Sequence, residues 1–126
     1  LSQKLQPPRP ELPSGVDLYH GTRIDSVTSI LKTGLRPSAS GTIGSGIYFA
    51  IKEHAELVSK FRGDGTAVAV IKARVNLSKC KSGIHEPWAG IPTDFREWCL
   101  TTGNYRVTAV YLTGGEILED INCPRL

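Results

Sequence analysis

Short strands set off by glycine-containing turns, with two helices early in the chain, predict an α+β domain built mainly on antiparallel sheet. Two segments carry most of that expectation. Residues 67–75 alternate apolar and polar with a period of two, and residues 24–33 place Ile24, Val27, Ile30 and Leu31 at three- and four-residue steps. No internal repeat interrupts the pattern, and 126 residues give room for one domain around one modest core.

Taken in order, residues 1–15 read as a tail or linker, and residues 16–126 as the domain. Pro7, Pro8, Pro10 and Pro13 fix their own φ and push their predecessors towards extended geometry. Their spacing also matches a PxxP ligand of an SH3-like domain, although Pro-rich linkers carry that spacing commonly. A short strand is expected over Val16–His20, then a helix over 24–33 that Gly34 stops in a left-handed, Schellman-type ending with Leu35 packed back on the last turn. Residues 36–46 have loop composition. A second apolar strand follows at Ile47–Ala50, and a helix over Lys52–Phe61.

Gly63-Asp64-Gly65 turns the chain into its clearest strand, in which Ala67, Ala69, Ile71, Ala73 and Val75 share one face and Lys72 and Arg74 the other. Residues 76–94 show no periodicity and read as one long connection of the kind that is usually functional or mobile. Glu97–Thr102 and Arg106–Leu112 are expected to form a hairpin about Gly103-Asn104.

Composition narrows the function classes. Apolar residues make up 40% and charged residues 21%, ordinary for a globular chain, and no apolar run approaches the length that a membrane-spanning helix needs. A net charge of +3 suits an anionic ligand such as a dinucleotide but is too small to argue for nucleic acid by itself. Cys80, Cys99 and Cys123 are odd in number and widely spaced, which fits reduced thiols in a cytoplasmic or nuclear protein better than a disulfide framework. Leu1 begins no signal-peptide pattern, so the chain reads as a segment of something longer.

Singly, the chemistry-bearing motifs are weak. His20 ends a strand beside a glycine that would let a ligand approach the backbone, yet such a histidine is more often structural. The run Gly41-Thr-Ile-Gly44-Ser-Gly46 lacks the Lys-Ser/Thr pair of a P-loop and leads into a strand, so neither the P-loop nor the dinucleotide-fold reading holds. Glu97 alone would be a solvated edge charge. Cys80, His85 and Cys99 supply zinc-ligand types without any chelating CxxC or HxxxH pair, and no metal requirement is expected.

In order, however, Leu18-Tyr-His-Gly-Thr22, a helix leaving through Gly34-Leu35-Arg36-Pro37, and Gly44-Ser-Gly-Ile-Tyr-Phe-Ala50 resemble the front half of the PARP-like ADP-ribosyltransferase catalytic domain. Phe95-Arg-Glu-Trp-Cys-Leu100 resembles the strand that the family opens with its catalytic glutamate. The resemblance spans residues 16–113 and is closest to the minimal, single-domain members. It implies split antiparallel sheets around a cleft for NAD, which serves as substrate, with His20, Tyr48 and Glu97 as the catalytic set.

By the same resemblance, His20 bonds the adenine-side ribose, and Gly21 holds the nicotinamide amide with Thr22 alongside. Tyr48, preceded by Gly46 of the signature, stacks on the nicotinamide ring. Glu97 holds the nicotinamide ribose and polarises the acceptor, and Arg36 faces the pyrophosphate. Ser59 and Phe61 are the nearest candidates for the hydroxyl residue and second aromatic that the family places on the following helix. Phe95, two residues before Glu97, departs from the Gln or Glu of arginine-specific toxins.

The activity so implied is mono-ADP-ribosylation of a protein or nucleic-acid acceptor. NAD glycohydrolysis and a catalytically weak module that binds NAD or ADP-ribose stand as alternatives. An RNA 2′-phosphotransferase-like relative, which relies on basic residues near the phosphate, is disfavoured, because no Arg or His cluster is expected to accompany His20.

Overall fold

The computed structural model describes residues 15–65, 67–101 and 105–112, and the backbone of 117–119. The elements are β1 (Gly15–Arg23), a 3-10 turn (Ile24–Ser26), α1 (Val27–Thr33), β2 (Ile47–Phe49), α2 (Lys52–Gly63), β3 (Val68–Asn76), a 3-10 turn (Leu77–Lys79), β4 (Cys80–His85), β5 (Phe95–Leu100), β6 (Tyr105–Leu112) and β7 (Ile117–Glu119). They form two antiparallel sheets, one of order β1-β3-β6-β7 and one of order β2-β5-β4. The α+β class and the antiparallel sheets are therefore as the sequence leads one to expect.

Alternation explains where the core lies. On β3, Ala69, Ile71, Ala73 and Val75 are at most 1% exposed. They meet Leu18 of β1, Val107 and Val110 of β6, Val27 and Ile30 of α1, and Ile47, Phe49 and Leu100 of the second sheet. Burying each of the larger aliphatic side chains contributes about 1.5–3 kcal/mol. The opposite face of β1 and β3 divides between solvent and α2. Asp17 holds Lys72 and Arg74 there at 3.8 and 3.4 Å, and further along β1 the helix lies so close that a Cβ on Gly21 would fall 2.3 Å from the Ala55 carbonyl oxygen.

The sheets meet at one pair of residues. Tyr19 and Ala50 exchange both backbone hydrogen bonds, at 2.9 and 2.8 Å, after which β1 and β2 diverge. No helix among the described residues is long and apolar enough to cross a membrane.

Several local expectations need correction. The first strand runs on to Arg23, because Gly21, Thr22 and Arg23 continue the ladder with Val70, Ala69 and Val68. The helix expected over 24–33 opens as a 3-10 turn and becomes α-helical only at Val27. Gly34 does take a positive φ of 91°, but its ψ of 175° sends the chain out extended rather than into a Schellman ending. The Leu35 N–H donates to the Tyr105 hydroxyl at 2.6 Å instead of to a helix carbonyl.

Within the supposed connection 76–94 lies β4, which Cys-Lys-Ser-Gly-Ile-His hides because an edge strand with a central glycine needs no apolar alternation. β5 and β6 belong to different sheets, so the segment between them crosses from one sheet to the other rather than closing a hairpin. The Pro-rich stretch 1–14 with its PxxP spacing, the turn expected about Gly103-Asn104 and Cys123 lie outside the described residues.

Candidate active site

Where the two sheets part, they leave an open cleft of about 490 Å3. His20, Gly21, Arg36, Gly46, Tyr48 and Glu97 all line it. They come from β1, the 36–46 loop, β2 and β5, so the cleft gathers residues far apart along the chain, from position 20 to position 97. Its remaining walls are the 37–42 loop, the α2 face carrying Ala55, Val58 and Arg62, and the ring group His85, Trp88 and Phe95.

His20 sits at the parting. Its Nδ1 lies 2.8 Å from the Tyr48 carbonyl oxygen, and a carbonyl only accepts, so Nδ1 carries the proton and the neutral ring keeps its lone pair on Nε2. Burial pushes the His20 pKa below the ordinary histidine value. The Tyr48 carbonyl works against that shift, and the Arg62 charge adds to it.

Tyr48 is held by the loop in front of it. Its hydroxyl accepts from the Ile43 N–H at 2.8 Å and donates to the Gly44 carbonyl at 2.5 Å, which stretches 41–44 across the cleft. Gly41 is pressed against the same ring, where a Cβ would meet Oη at 2.5 Å. Gly46 is required twice over. Its φ is 148°, and a Cβ would collide with Cys99 Sγ and the Leu100 carbonyl at 2.6 Å. Burial raises the Tyr48 pKa, the Ile43 N–H opposes the rise, and nearby Cys99 and Glu97 reinforce it.

Glu97 is the third residue of β5 rather than its first. Alternation puts it on one face with Phe95 and Cys99, while Trp98 and Leu100 turn to the core. Its Oε1 is buried without a hydrogen-bond partner. Burial raises its pKa, and the charges of His85 and then Arg62 pull the other way. A buried acceptor with no donor carries a penalty of about 1–3 kcal/mol, which a bound hydroxyl would relieve.

Three residues that the resemblance brings to the site do not line it. Thr22 pairs with Ala69 beyond Gly21. Ser59 is 1% exposed, donates to the Glu56 carbonyl at 2.7 Å, and packs against Gly21. Phe61 is 56% exposed and meets the edge of Trp88 at 5.3 Å. The α2 residues that do face the cleft, Ala55, Val58 and Arg62, follow the i, i+3, i+7 spacing of one helical stripe. The α2 side chains that line the cleft are thus two apolar ones and one guanidinium, with neither a hydroxyl nor an aromatic ring among them.

Sequence reasoning missed Arg62, His85 and Trp88. His85 is stacked between Trp88 (5.2 Å, 26°) and Phe95 (4.9 Å, 19°), and the Arg62 guanidinium lies 5.5 Å from the Trp88 ring centre. Arg36, Arg62 and His85 therefore share the cleft with His20, which removes the ground on which the phosphotransferase-like relative was disfavoured. Among the described residues no group of three or more His, Cys, Asp or Glu is placed to hold a metal. Comparison with protein-family models, with curated proteins and with solved structures finds no match for this chain.

Proposed function

We propose that the chain is an NAD-dependent mono-ADP-ribosyltransferase, which moves ADP-ribose from NAD to a protein or nucleic-acid acceptor and releases nicotinamide. The observation that carries this reading is the meeting of His20, Tyr48 and Glu97 in one cleft, with a buried Glu97 oxygen that lacks a partner. Breaking the nicotinamide–ribose bond passes through an oxocarbenium-like sugar, as in glycoside hydrolysis. A carboxylate fixed beside that sugar stabilises the developing positive charge, and a rigid cleft supplies orientation.

In this reading the lone pair on His20 Nε2 takes a ribose hydroxyl, the Tyr48 ring supports the nicotinamide, and Arg36 meets the pyrophosphate. The Glu97 carboxylate takes the hydroxyl of the nicotinamide ribose. Transfer of single units fits the short stretch 86–94 between β4 and β5, which leaves little surface for a polymeric acceptor.

Labelled NAD provides the test. The purified protein is expected to modify itself or a lysate protein, and Glu97→Gln to lose at least about tenfold in rate, equivalent to about 1.4 kcal/mol of transition-state stabilisation. Unchanged activity in that variant would remove the role given to Glu97, and failure to bind NAD by calorimetry would remove the reading. One observation favours a second reading, a module that binds ADP-ribose with little turnover: Ser59 and Phe61 do not line the cleft, so α2 supplies neither of the side chains that the resemblance assigns to the nicotinamide pocket. Tight ADP-ribose binding without nicotinamide release would support that alternative.

A further inference from the structure

Next to Glu97 the cleft holds a second group suited to proton transfer, His85, and three features single it out. First, the ring is fixed. Trp88 and Phe95 stack on its two sides at centroid distances of 5.2 and 4.9 Å, with interplanar angles of 26° and 19°. Second, its tautomer is fixed. Nδ1 lies 2.6 Å from the Glu86 carbonyl oxygen, which can only accept, so the neutral ring carries its proton on Nδ1 and its lone pair on Nε2.

Third, its position is fixed relative to the carboxylate. Glu97 of β5 stands opposite Gly83 of β4, and His85 is two residues further along β4, on the same face. Such diagonal neighbours are about 7–8 Å apart at the backbone, within reach of long side chains. Gly83, opposite Glu97, carries no side chain, and the Ile43 side chain of the loop packs over it. Both residues line the cleft.

We infer that His85 is the general base of this site, taking the proton from the incoming nucleophile while Glu97 stays ionised beside the ribose. This rests on the transferase reading above. A carboxylate cannot readily do both tasks, because once protonated it no longer stabilises positive charge on the sugar. With His85 the step balances. The acceptor oxygen lone pair forms the bond to C1′, the C1′–N bond breaks, and nicotinamide departs neutral with the bonding pair. The acceptor proton passes to His85 Nε2. No oxidant or further reactant is needed.

The assignment also defines the acceptor class. A carboxylate side chain brings no proton and needs no base, so the site is built for an acceptor that carries a proton on its attacking atom, of which a hydroxyl or water is the simplest. The charged and titratable groups around His85 agree with the role. Glu97 on β5 stabilises the imidazolium formed by the step, Arg62 on α2 opposes it from above Trp88, and His54 on α2 stands behind Phe95 at 5.3 Å.

The test uses His85→Phe, which preserves a stacking ring, and His85→Ala, which opens a slot between Trp88 and Phe95. With NAD and water alone, or with methanol as a simple hydroxyl acceptor, His85→Phe is expected to slow nicotinamide release at least about tenfold and to lose the acid limb of the pH–rate profile. Added imidazole should restore a large part of the rate to His85→Ala and none to His85→Phe. In the absence of NAD, carboxyl-carbon NMR should show the Glu97 titration moving upward in His85→Phe, because the neighbouring charge that lowers it is gone.

An active wild type alongside variants with unaltered rate and pH profile would overturn the inference and leave the transferase reading standing. Loss of activity without imidazole rescue, and with the Glu97 titration unmoved, would make His85 a packing residue and also overturn it. An inactive wild type would sink the transferase reading and this inference together, whereas the NMR titration still reports whether the two side chains are coupled.

Discussion

Glu97→Gln should make the folded protein more stable at neutral pH while disabling it. The wild-type carboxylate keeps Oε1 buried with no donor, and burial holds its pKa above the ordinary carboxyl value of 4.5. The folded state therefore binds the Glu97 proton more tightly than the unfolded chain does. Below pH 4.5 the side chain is neutral in both states and costs nothing extra. As pH climbs through the raised folded value, the native state must carry a charge that the unfolded chain hydrates freely, and stability falls.

Glutamine keeps the shape and never acquires that charge. The stabilities of the wild type and of the Glu97→Gln variant should thus converge at about pH 4 and separate with rising pH, levelling off near neutrality. The glutamine amide meets the same lack of partners, so the gain lies only in not burying a charge. The nearby positive charges of His85 and Arg62, and the solvent that reaches the rest of this half-buried side chain, offset part of it. That puts the gain at about 1 kcal/mol, or about 4 °C in Tm for a domain of this size. Urea denaturation of both proteins from about pH 4 to about pH 8 measures the difference directly. A glutamine variant that is less stable at neutral pH, or a difference that does not change with pH, would refute the account of a carboxylate held at a stability cost for function.

Other perturbations separate packing from chemistry. Gly21→Ala places a Cβ 2.3 Å from the Ala55 carbonyl and 2.9 Å from the Ser59 nitrogen, so α2 must move away from β1. A destabilisation of about 2–3 kcal/mol by denaturant titration is expected, together with weaker ADP-ribose binding because α2 forms a cleft wall. Tyr48→Phe keeps the ring but frees the Ile43 N–H and the Gly44 carbonyl. Amide exchange at Ile43 should quicken and KM for NAD rise while the melting temperature barely changes. Tyr105→Phe leaves the buried Leu35 N–H without its acceptor and should cost about 1–3 kcal/mol in a thermal melt, with NAD affinity untouched.

The parts of this architecture that were legible in the chain are those where local chemistry is decided locally. The alternation over 67–75 marked the central strand, because β3 is buried on one face along its whole length. The resemblance carried by His20-Gly21 and Gly46-Ile-Tyr48 implied a shared cleft, and His20, Gly21, Gly46 and Tyr48 line one. What stayed hidden depends on partners distant in sequence. β4 pairs only with β5, and so carries no pattern of its own. Nothing local shows that β5 and β6 separate into different sheets. The α2 register turned on which helical stripe meets β1. Ser59 packs against Gly21 and Phe61 meets Trp88 in a T-shaped contact, and the 55, 58, 62 stripe faces the cleft instead. His85 and Trp88 fell within a segment read as a connection, and their stacking becomes visible only in three dimensions.

The junction of the two sheets has one more consequence. Beyond the Tyr19–Ala50 pair, an uninterrupted antiparallel ladder would next join Gly21 to Tyr48, with the Tyr48 carbonyl accepting from the Gly21 amide. That carbonyl is instead taken by the His20 imidazole. The side chain thus acts as a wedge in a partly opened zipper: it occupies the rung that would draw the strands together, and the slot for a ligand begins where the rung is missing. Truncating His20 would free the Tyr48 carbonyl and let the seam close over the mouth of the cleft.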